Sequence, residues 1–358
     1  MWPYWLLFLV PAVAAVLKPK PRFAPASFDP TRWGLEWLLV LVLLALMIGF
    51  RVEVGGDWGS YIRYLDRVQG APLDEVITSP DPGYELVNWV SVELGWGVFG
   101  VNLFCGSLLA VGLVYFCRNM PRPWLALAVT VPYLIIVVGM GYSRQGVALG
   151  LAMLGLVALM RKSTVPFVVF VLLGATFHKT AVILLPIAAL ASTHNRYWTA
   201  AWVGVITLLA YQLFLEDSVE GLVAGYIEAE YQSQGALVRL VMNALPAGLL
   251  LLWRKRFRFT GAETNLWLWL AVISLALLAV LFVSPSSTAV DRIALYMLPL
   301  QLVVFSHIPD VLGRRASSNQ GWVAAVVAYY ALVNFVWLNY ASHAEYWLPY
   351  RFLPFEGL

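Results

Sequence analysis

The chain has 358 residues, 61% hydrophobic and only 12% charged, with a formal net charge of +3. A soluble domain of this length carries roughly twice that charged fraction, and so small a net charge gives no case for nucleic-acid binding. A helix crosses a bilayer with about 20 apolar residues, and nearly the whole sequence is divided into such runs. The expected fold is therefore all-α: one integral membrane domain over residues 1–358, a polytopic bundle of about 12 spans.

Met1 to Leu17 is apolar, and the basic residues Lys18, Lys20 and Arg22 follow it rather than precede it. A cleaved signal peptide has the opposite charge order, so a retained first span with its N-terminus outside is expected. The apolar runs then predict spans near 2–17, 36–50, 97–117, 124–141, 143–160, 164–177, 180–192, 198–215, 236–253, 265–283, 290–308 and 321–340. The stretch 164–192 reads either as two short spans meeting near His178 or as one span plus a re-entrant piece. Cys105 and Cys117 share one span, about 18 Å apart along a helix. That is too far for a disulfide, and both read as small packing residues.

With these spans, alternate loops carry Lys18/Lys20/Arg22/Arg32, Arg118/Arg122, Arg161/Lys162, Arg196, Arg254/Lys255/Arg256/Arg258 and Arg314/Arg315. All fall on one side, the cytoplasmic side by the positive-inside rule. Most acids, among them Glu53, Asp57, Asp66, Asp81, Glu85 and Glu228, fall on the other. Two long outer loops are expected, 51–83 and 216–235. The first contains Tyr61 to Val68 with apolar and aromatic residues at helical spacing, an amphipathic helix for the membrane surface, and Tyr84 to Leu94 extends it. The second contains Tyr226 to Tyr231.

Against this pattern stand cations left outside or at membrane depth: Arg51, Arg63, Arg67, Arg144, Lys179, Arg239, Arg292 and Arg351. A cation near the hydrocarbon centre costs roughly 3 kcal/mol or more. Several converging on an outer face point to an anionic ligand, because arginine's planar fork suits phosphate oxygens. The bland alternative for each is snorkelling, or pairing with a local acid such as Asp291. Four constellations interrupt the apolar text: Gly55-Gly56-Asp57-Trp58-Gly59-Ser60-Tyr61, Tyr142-Ser143-Arg144-Gln145, Phe177-His178-Lys179-Thr180, and Asp291-Arg292 with Tyr296. Gly146 and Gly150 read as a helix-packing pair. No phosphate-binding loop, His-Glu-x-x-His or clustered Cys/His set is present, and Gly141 to Gly146 is one residue too long for a Gly-x-Ser-x-Gly elbow. No cofactor and no metal are expected.

At these motifs the sequence resembles the EpsG family of bacterial exopolysaccharide proteins, related to Wzy-type polysaccharide polymerases. The matching residues are Gly56-Asp57 with Tyr61, Ser143-Arg144-Gln145, Phe177-His178-Lys179-Thr180-Ala181, Asp291-Arg292 with Tyr296, and Trp347-Leu348-Pro349-Tyr350-Arg351, in order over most of the chain. The resemblance implies a GT-C-like, metal-independent membrane glycosyltransferase of the bacterial cytoplasmic (inner) membrane, active on the outer, periplasmic face. Its substrate would be an undecaprenyl-pyrophosphate-linked oligosaccharide. Membrane lipid, a chain-length regulator and export proteins would be its partners in exopolysaccharide and biofilm synthesis. Arg144, Arg292 and Arg351, helped by Arg51 and Arg239, would hold the pyrophosphate. Asp57 or His178 would be the general base, and Trp58, Tyr61, Gln145, Lys179 and Tyr296 would contact the sugars. Trp58, Trp89, Trp96 and Trp347 suit stacking on sugars or interfacial anchoring. The alternatives are a flippase or transporter of the same lipid-linked sugar, an O-antigen-ligase-like glycosyltransferase, and a non-catalytic subunit of a secretion complex.

Overall fold

The computed structural model describes residues 1–18, 33–192, 196–216, 233–259, 261–314 and 317–356. Most of the loop 216–235, the basic residues Lys20, Arg22, Arg32 and Arg315, and the side chain of Arg196 lie outside them.

The described residues form helices and turns, with one isolated bridge between Arg51 and Phe352. In chain order the helices begin with α1 (Trp2–Leu17) and α2 (Leu35–Gly49). Three short ones follow: α3 (Trp58–Val68), α4 (Leu73–Ile77) and α5 (Pro82–Glu93). Next is α6 (Gly97–Arg118), then α7 (Pro123–Thr130), which widens into a π-helix over Val131–Gly139. After α8 (Ser143–Met160) and α9 (Thr164–Ala175), a 3-10 turn, Lys179–Leu184, leads into α10 (Leu185–Ala191). Then come α11 (Arg196–Tyr211), α12 (Ala236–Phe257) and α13 (Ala262–Leu281). The last long elements are α14 (Ser287–Ala294), a 3-10 turn over Leu295–Met297, α15 (Leu298–Leu312) and α16 (Gln320–Tyr340). Local sequence sets several starts. Pro82 and Pro123 open α5 and α7, where the missing N–H costs nothing, and Ser286 caps α14 by accepting from the Ala289 N–H.

Seven helical stretches among the described residues are long and apolar enough to cross a membrane: 97–118, 143–160, 197–214, 236–257, 262–281, 287–312 and 320–340. The chain is thus a multi-pass membrane protein. The expected count of about 12 takes in five shorter apolar helices, Trp2–Leu17, Leu35–Gly49, Pro123–Gly139, Thr164–Ala175 and Lys179–Ala191. The stretch 164–192 is two short helices meeting at Thr176 to His178, where the sequence placed the break.

Contacts sort the polar residues to two ends. At one end Lys18 pairs with Glu36 and sits 4.9 Å over Trp124, and Arg122 grips Asp310 through Nη2 at 2.9 Å and Nε at 3.3 Å. Arg161 reaches Asn119 there at 2.8 Å. At the other end α3, α4 and α5 form an amphipathic cap, with α5 on α6 and α3 on α5. The core between is closed by backbone contact of α6 with α8. A Cβ on Gly112 would strike the Gly150 carbonyl oxygen, and one on Gly150 would lie 2.7 Å from the Leu109 Cα. The Gly146–Gly150 packing pair therefore works mainly through Gly150.

Candidate functional site

The site is built around the break between α7 and α8. The π-helix ends at Gly139, and the chain leaves helical geometry at Tyr142 before α8 starts at Ser143. Tyr61 clasps this break: its hydroxyl donates to the Gly141 carbonyl at 2.8 Å and accepts from the Ser143 N–H at 2.9 Å. Arg51, fully buried, braces it from just beyond the end of α2. Its Nη2 donates to Ser143 Oγ at 2.9 Å, Nε to the Val54 carbonyl at 3.1 Å and Nη1 to the Ile48 carbonyl. Gly55 carries the turn at φ 104°, where a side chain would strike the Met140 carbonyl oxygen. This turn places Asp57 at the entrance of α3.

Around that floor the charges converge. Arg144, at the start of α8, donates from Nη1 to Asp81 Oδ2 at 2.6 Å, and its guanidinium lies 4.9 Å from the Tyr64 ring and 5.7 Å from the Tyr84 ring. Arg292, from α14, lies over Tyr142 with its Cζ 4.0 Å from the ring centre. Gln145 steadies it: Nε2 donates to the Arg292 carbonyl at 2.8 Å, and Oε1 accepts from Arg292 Nη1 at 3.4 Å. His178, in the link between two apolar helices, has Nδ1 at 2.7 Å from Thr180 Oγ1, which is itself 3.1 Å from the Tyr296 hydroxyl.

The protonation of these groups follows from burial and from the arginines. Burial pushes the Asp57 carboxyl above its ordinary value, and Arg292 and then Arg144 oppose the shift. No hydrogen bond to its carboxylate is made among the described residues. Burial likewise raises Asp81, with the Arg144 pair and Lys179 opposing. His178 is pushed down to about 3, first by burial and then by Arg144, Arg292 and Lys179, so its ring is neutral. The result is a half-buried, unpartnered carboxyl facing two arginines, with a lysine and a neutral imidazole alongside. Such a set can bind a polyanion and accept a proton beside it. Among the described residues no group of three or more His, Cys, Asp or Glu is placed to hold a metal ion.

The sequence expectations divide accordingly. Asp57, Arg144, Gln145, His178, Lys179, Tyr296 and Arg292 come together. Arg51 and Arg351 do not join them, and Arg239 only borders them, beside Tyr142. Arg51 spends its N–H groups on the floor, as above. Arg239 is held by Asp291 through two bonds, Nε to Oδ1 at 2.8 Å and Nη2 to Oδ2 at 2.7 Å, the local pairing weighed from the sequence. Arg351 is exposed and gripped by Glu53 and by Glu356, the latter at 2.7 Å and 3.0 Å. Tyr61 is a buried clasp rather than a sugar contact, and Trp58 packs on Phe99 at 6.2 Å. Trp347 is no stacking platform: it is buried against Gly141, with Nε1 donating to the Ile136 carbonyl at 2.8 Å. The sequence reading missed Asp81 as Arg144's partner and Tyr64 and Tyr84 as its aromatic walls. The available signal was an acid directly before Pro82, at a helix entrance.

No curated protein and no solved structure matches this chain. The family comparison does: the EpsG family matches residues 35–352, most of the chain, and with the membrane helices and the charged break described above, the chain belongs to the EpsG family.

Proposed function

We propose that this protein polymerises lipid-linked oligosaccharide repeat units on the outer face of the bacterial cytoplasmic membrane. The observation that carries the reading is the unpartnered Asp57 carboxyl beside Arg292 and Arg144. In the reaction an acceptor sugar hydroxyl attacks the anomeric carbon of the donor glycan. The bond from that carbon to the pyrophosphate oxygen breaks, and undecaprenyl pyrophosphate leaves with the electron pair. Asp57 takes the hydroxyl proton. Arg144 and Arg292, with Lys179, offset the charge that grows on the leaving group. Arginine forks held by Asp81, Tyr64 and Tyr84 on one side and by Tyr142 and Gln145 on the other are preorganised for this, so little reorganisation accompanies bond breaking.

The same proposal includes 12 passes, the five shorter apolar helices added to the seven long ones, with the basic end in the cytoplasm. The cap of α3 to α5 then lies at the outer leaflet, where a lipid-linked donor presents its pyrophosphate.

One observation favours transport instead. The segment 287–312 is interrupted by a 3-10 turn at Leu295–Met297, and broken helices are common in transporter sites. The deciding experiment uses purified protein in nanodiscs with a defined undecaprenyl-pyrophosphate repeat unit. A ladder of lengthened, lipid-linked glycans is expected, abolished by Asp57→Asn. Translocation across liposomes with no lengthening would overturn polymerisation in favour of the flippase. Transfer of the glycan only to a different lipid acceptor would favour the ligase.

A further inference from the structure

The Tyr296, Thr180 and His178 side chains form one chain of hydrogen bonds, and its proton inventory fixes what the imidazole can do. Tyr296 is 1% exposed, and among the described residues its hydroxyl has no partner except Thr180 Oγ1 at 3.1 Å. A buried phenol O–H without an acceptor is unfavourable, so Tyr296 donates and Thr180 accepts. Thr180 has one proton of its own. Its other neighbour is His178 Nδ1 at 2.7 Å, so the threonine hydroxyl donates to that nitrogen. A nitrogen that accepts carries no proton, which places the proton of the neutral ring on Nε2. The opposite direction, with Nδ1–H donating to Thr180, would leave either the buried phenol or the threonine hydroxyl holding a proton with no acceptor among the described residues.

Among the described residues Nε2 has no hydrogen-bond partner. The charged groups that act on the ring are Arg144 from α8, Arg292 from α14 and Lys179 from its own turn, all cations. Asp81 faces the same place but is engaged with Arg144. An N–H beside three cations suits an anionic oxygen and not a proton in flight.

We propose that His178 is held as the Nε2–H tautomer and donates a hydrogen bond to a phosphate oxygen of the substrate, rather than acting as a base. The phosphate half of this rests on the function proposed above; the tautomer half does not. It leaves the acceptor proton to Asp57 and makes Thr180 and Tyr296 positioning residues that set the ring's tautomer.

The test reads nitrogen directly. Full-length protein with 15N-labelled histidine in nanodiscs gives signals from four histidines, and the His178→Gln spectrum assigns the one of interest. A pyridine-like signal at Nδ1 and a pyrrole-like signal at Nε2 are expected. Thr180→Ser should keep this pattern, and Thr180→Val should mix the two tautomers. Added inorganic pyrophosphate should shift the Nε2 signal in the wild type and not in Arg292→Ala. A pyrrole-like Nδ1 in the wild type overturns the proposal outright. The expected tautomer with an Nε2 signal that pyrophosphate leaves unmoved overturns the phosphate contact. If tautomer and pyrophosphate shift are both found while the nanodisc assay yields no glycan ladder, polymerisation fails and the His178 assignment stands.

Discussion

Asp81→Asn isolates the positioning of Arg144 from its charge. The substitution keeps the shape of the side chain and removes the carboxylate that accepts from Arg144 Nη1 at 2.6 Å. An exposed ion pair contributes up to about 1 kcal/mol, and a hydrogen bond to a charged group roughly 1.5–3 kcal/mol. Here the Arg144 side chain is 30% exposed and that of Asp81 12%, so the pair lies between those limits, at about 1–2 kcal/mol. The Tyr64 and Tyr84 rings still hold the guanidinium plane, each contact being worth about 0.5–1 kcal/mol. The protein therefore stays folded. What is lost is the aim of the fork at the leaving group, and at about 1.4 kcal/mol per tenfold the expected loss in kcat is roughly 5- to 30-fold. The KM for the lipid substrate should not rise, because a carboxylate that competes with pyrophosphate for Arg144 has been removed. Initial rates of glycan lengthening at varied substrate, with thermal unfolding as the control for folding, separate the two constants. An unchanged kcat, or a KM raised tenfold at constant kcat, would refute the positioning argument.

Asp57→Asn should lower kcat by about 100-fold or more, the range of a lost general base, with binding of the lipid substrate retained. In the wild type the base works deprotonated and burial raises its pKa, so kcat/KM should climb with pH through a value above the ordinary carboxylate range; an acid limb at or below that range would sink the assignment. Arg292→Lys should impair turnover by losing the Tyr142 stack and the Gln145 bond, whereas Arg351→Lys, outside the cluster, should leave the rate near wild type; equal rates in parallel assays would break the distinction. Arg51→Ala should cost stability, roughly 1–3 kcal/mol for each buried acceptor it leaves unpaired, visible as a large drop in Tm; an unchanged Tm would contradict its bracing role. For orientation, a cysteine at Ser60 should react with an impermeant thiol reagent in intact spheroplasts and one at Lys162 should not. The two native cysteines are buried, so background labelling is low, and the reverse pattern would move the site to the cytoplasm.

The membrane class and the helix order were legible because apolar length is a one-dimensional property. A run such as 97–118 or 262–281 spells out its own span, whatever packs on it. The grouping of the basic loops was nearly as legible, since Lys18, Arg122 and Arg161 collect at one end of the bundle as the alternating loops required. The breaks were harder. The π-helix at Val131–Gly139 and the 3-10 turn at Leu295–Met297 occur in text as apolar as any span. At the first of them the end of the π-helix is fitted by packing: Gly139 and the chain beyond it lie against Leu109, Ile48 and Trp347, residues from three distant parts of the chain.

The site was legible as a set of misplaced charges but not as a geometry, and the reason is that a charge in the sequence does not name its partner. Eight cations stood out, each by lying outside or at membrane depth where the basic loops did not. Only tertiary contact tells a working arginine from a strut. Arg51 and Arg144 both border the same break, yet Arg51 donates to the Ile48 and Val54 carbonyls and Ser143, while Arg144 has one carboxylate and two rings. Asp81, 63 residues from Arg144, was indistinguishable in sequence from any other acid of the outer loop. His178 shows the same limit more sharply. Its reference pKa made it a fair base on paper, but burial among three cations removes that basicity, and the direction of a two-bond relay decides which nitrogen keeps the ring proton. Asp57 is favoured as base by a complementary fact: it is the acid in the cluster to which no donor is tied, so a proton from the substrate meets no competitor there.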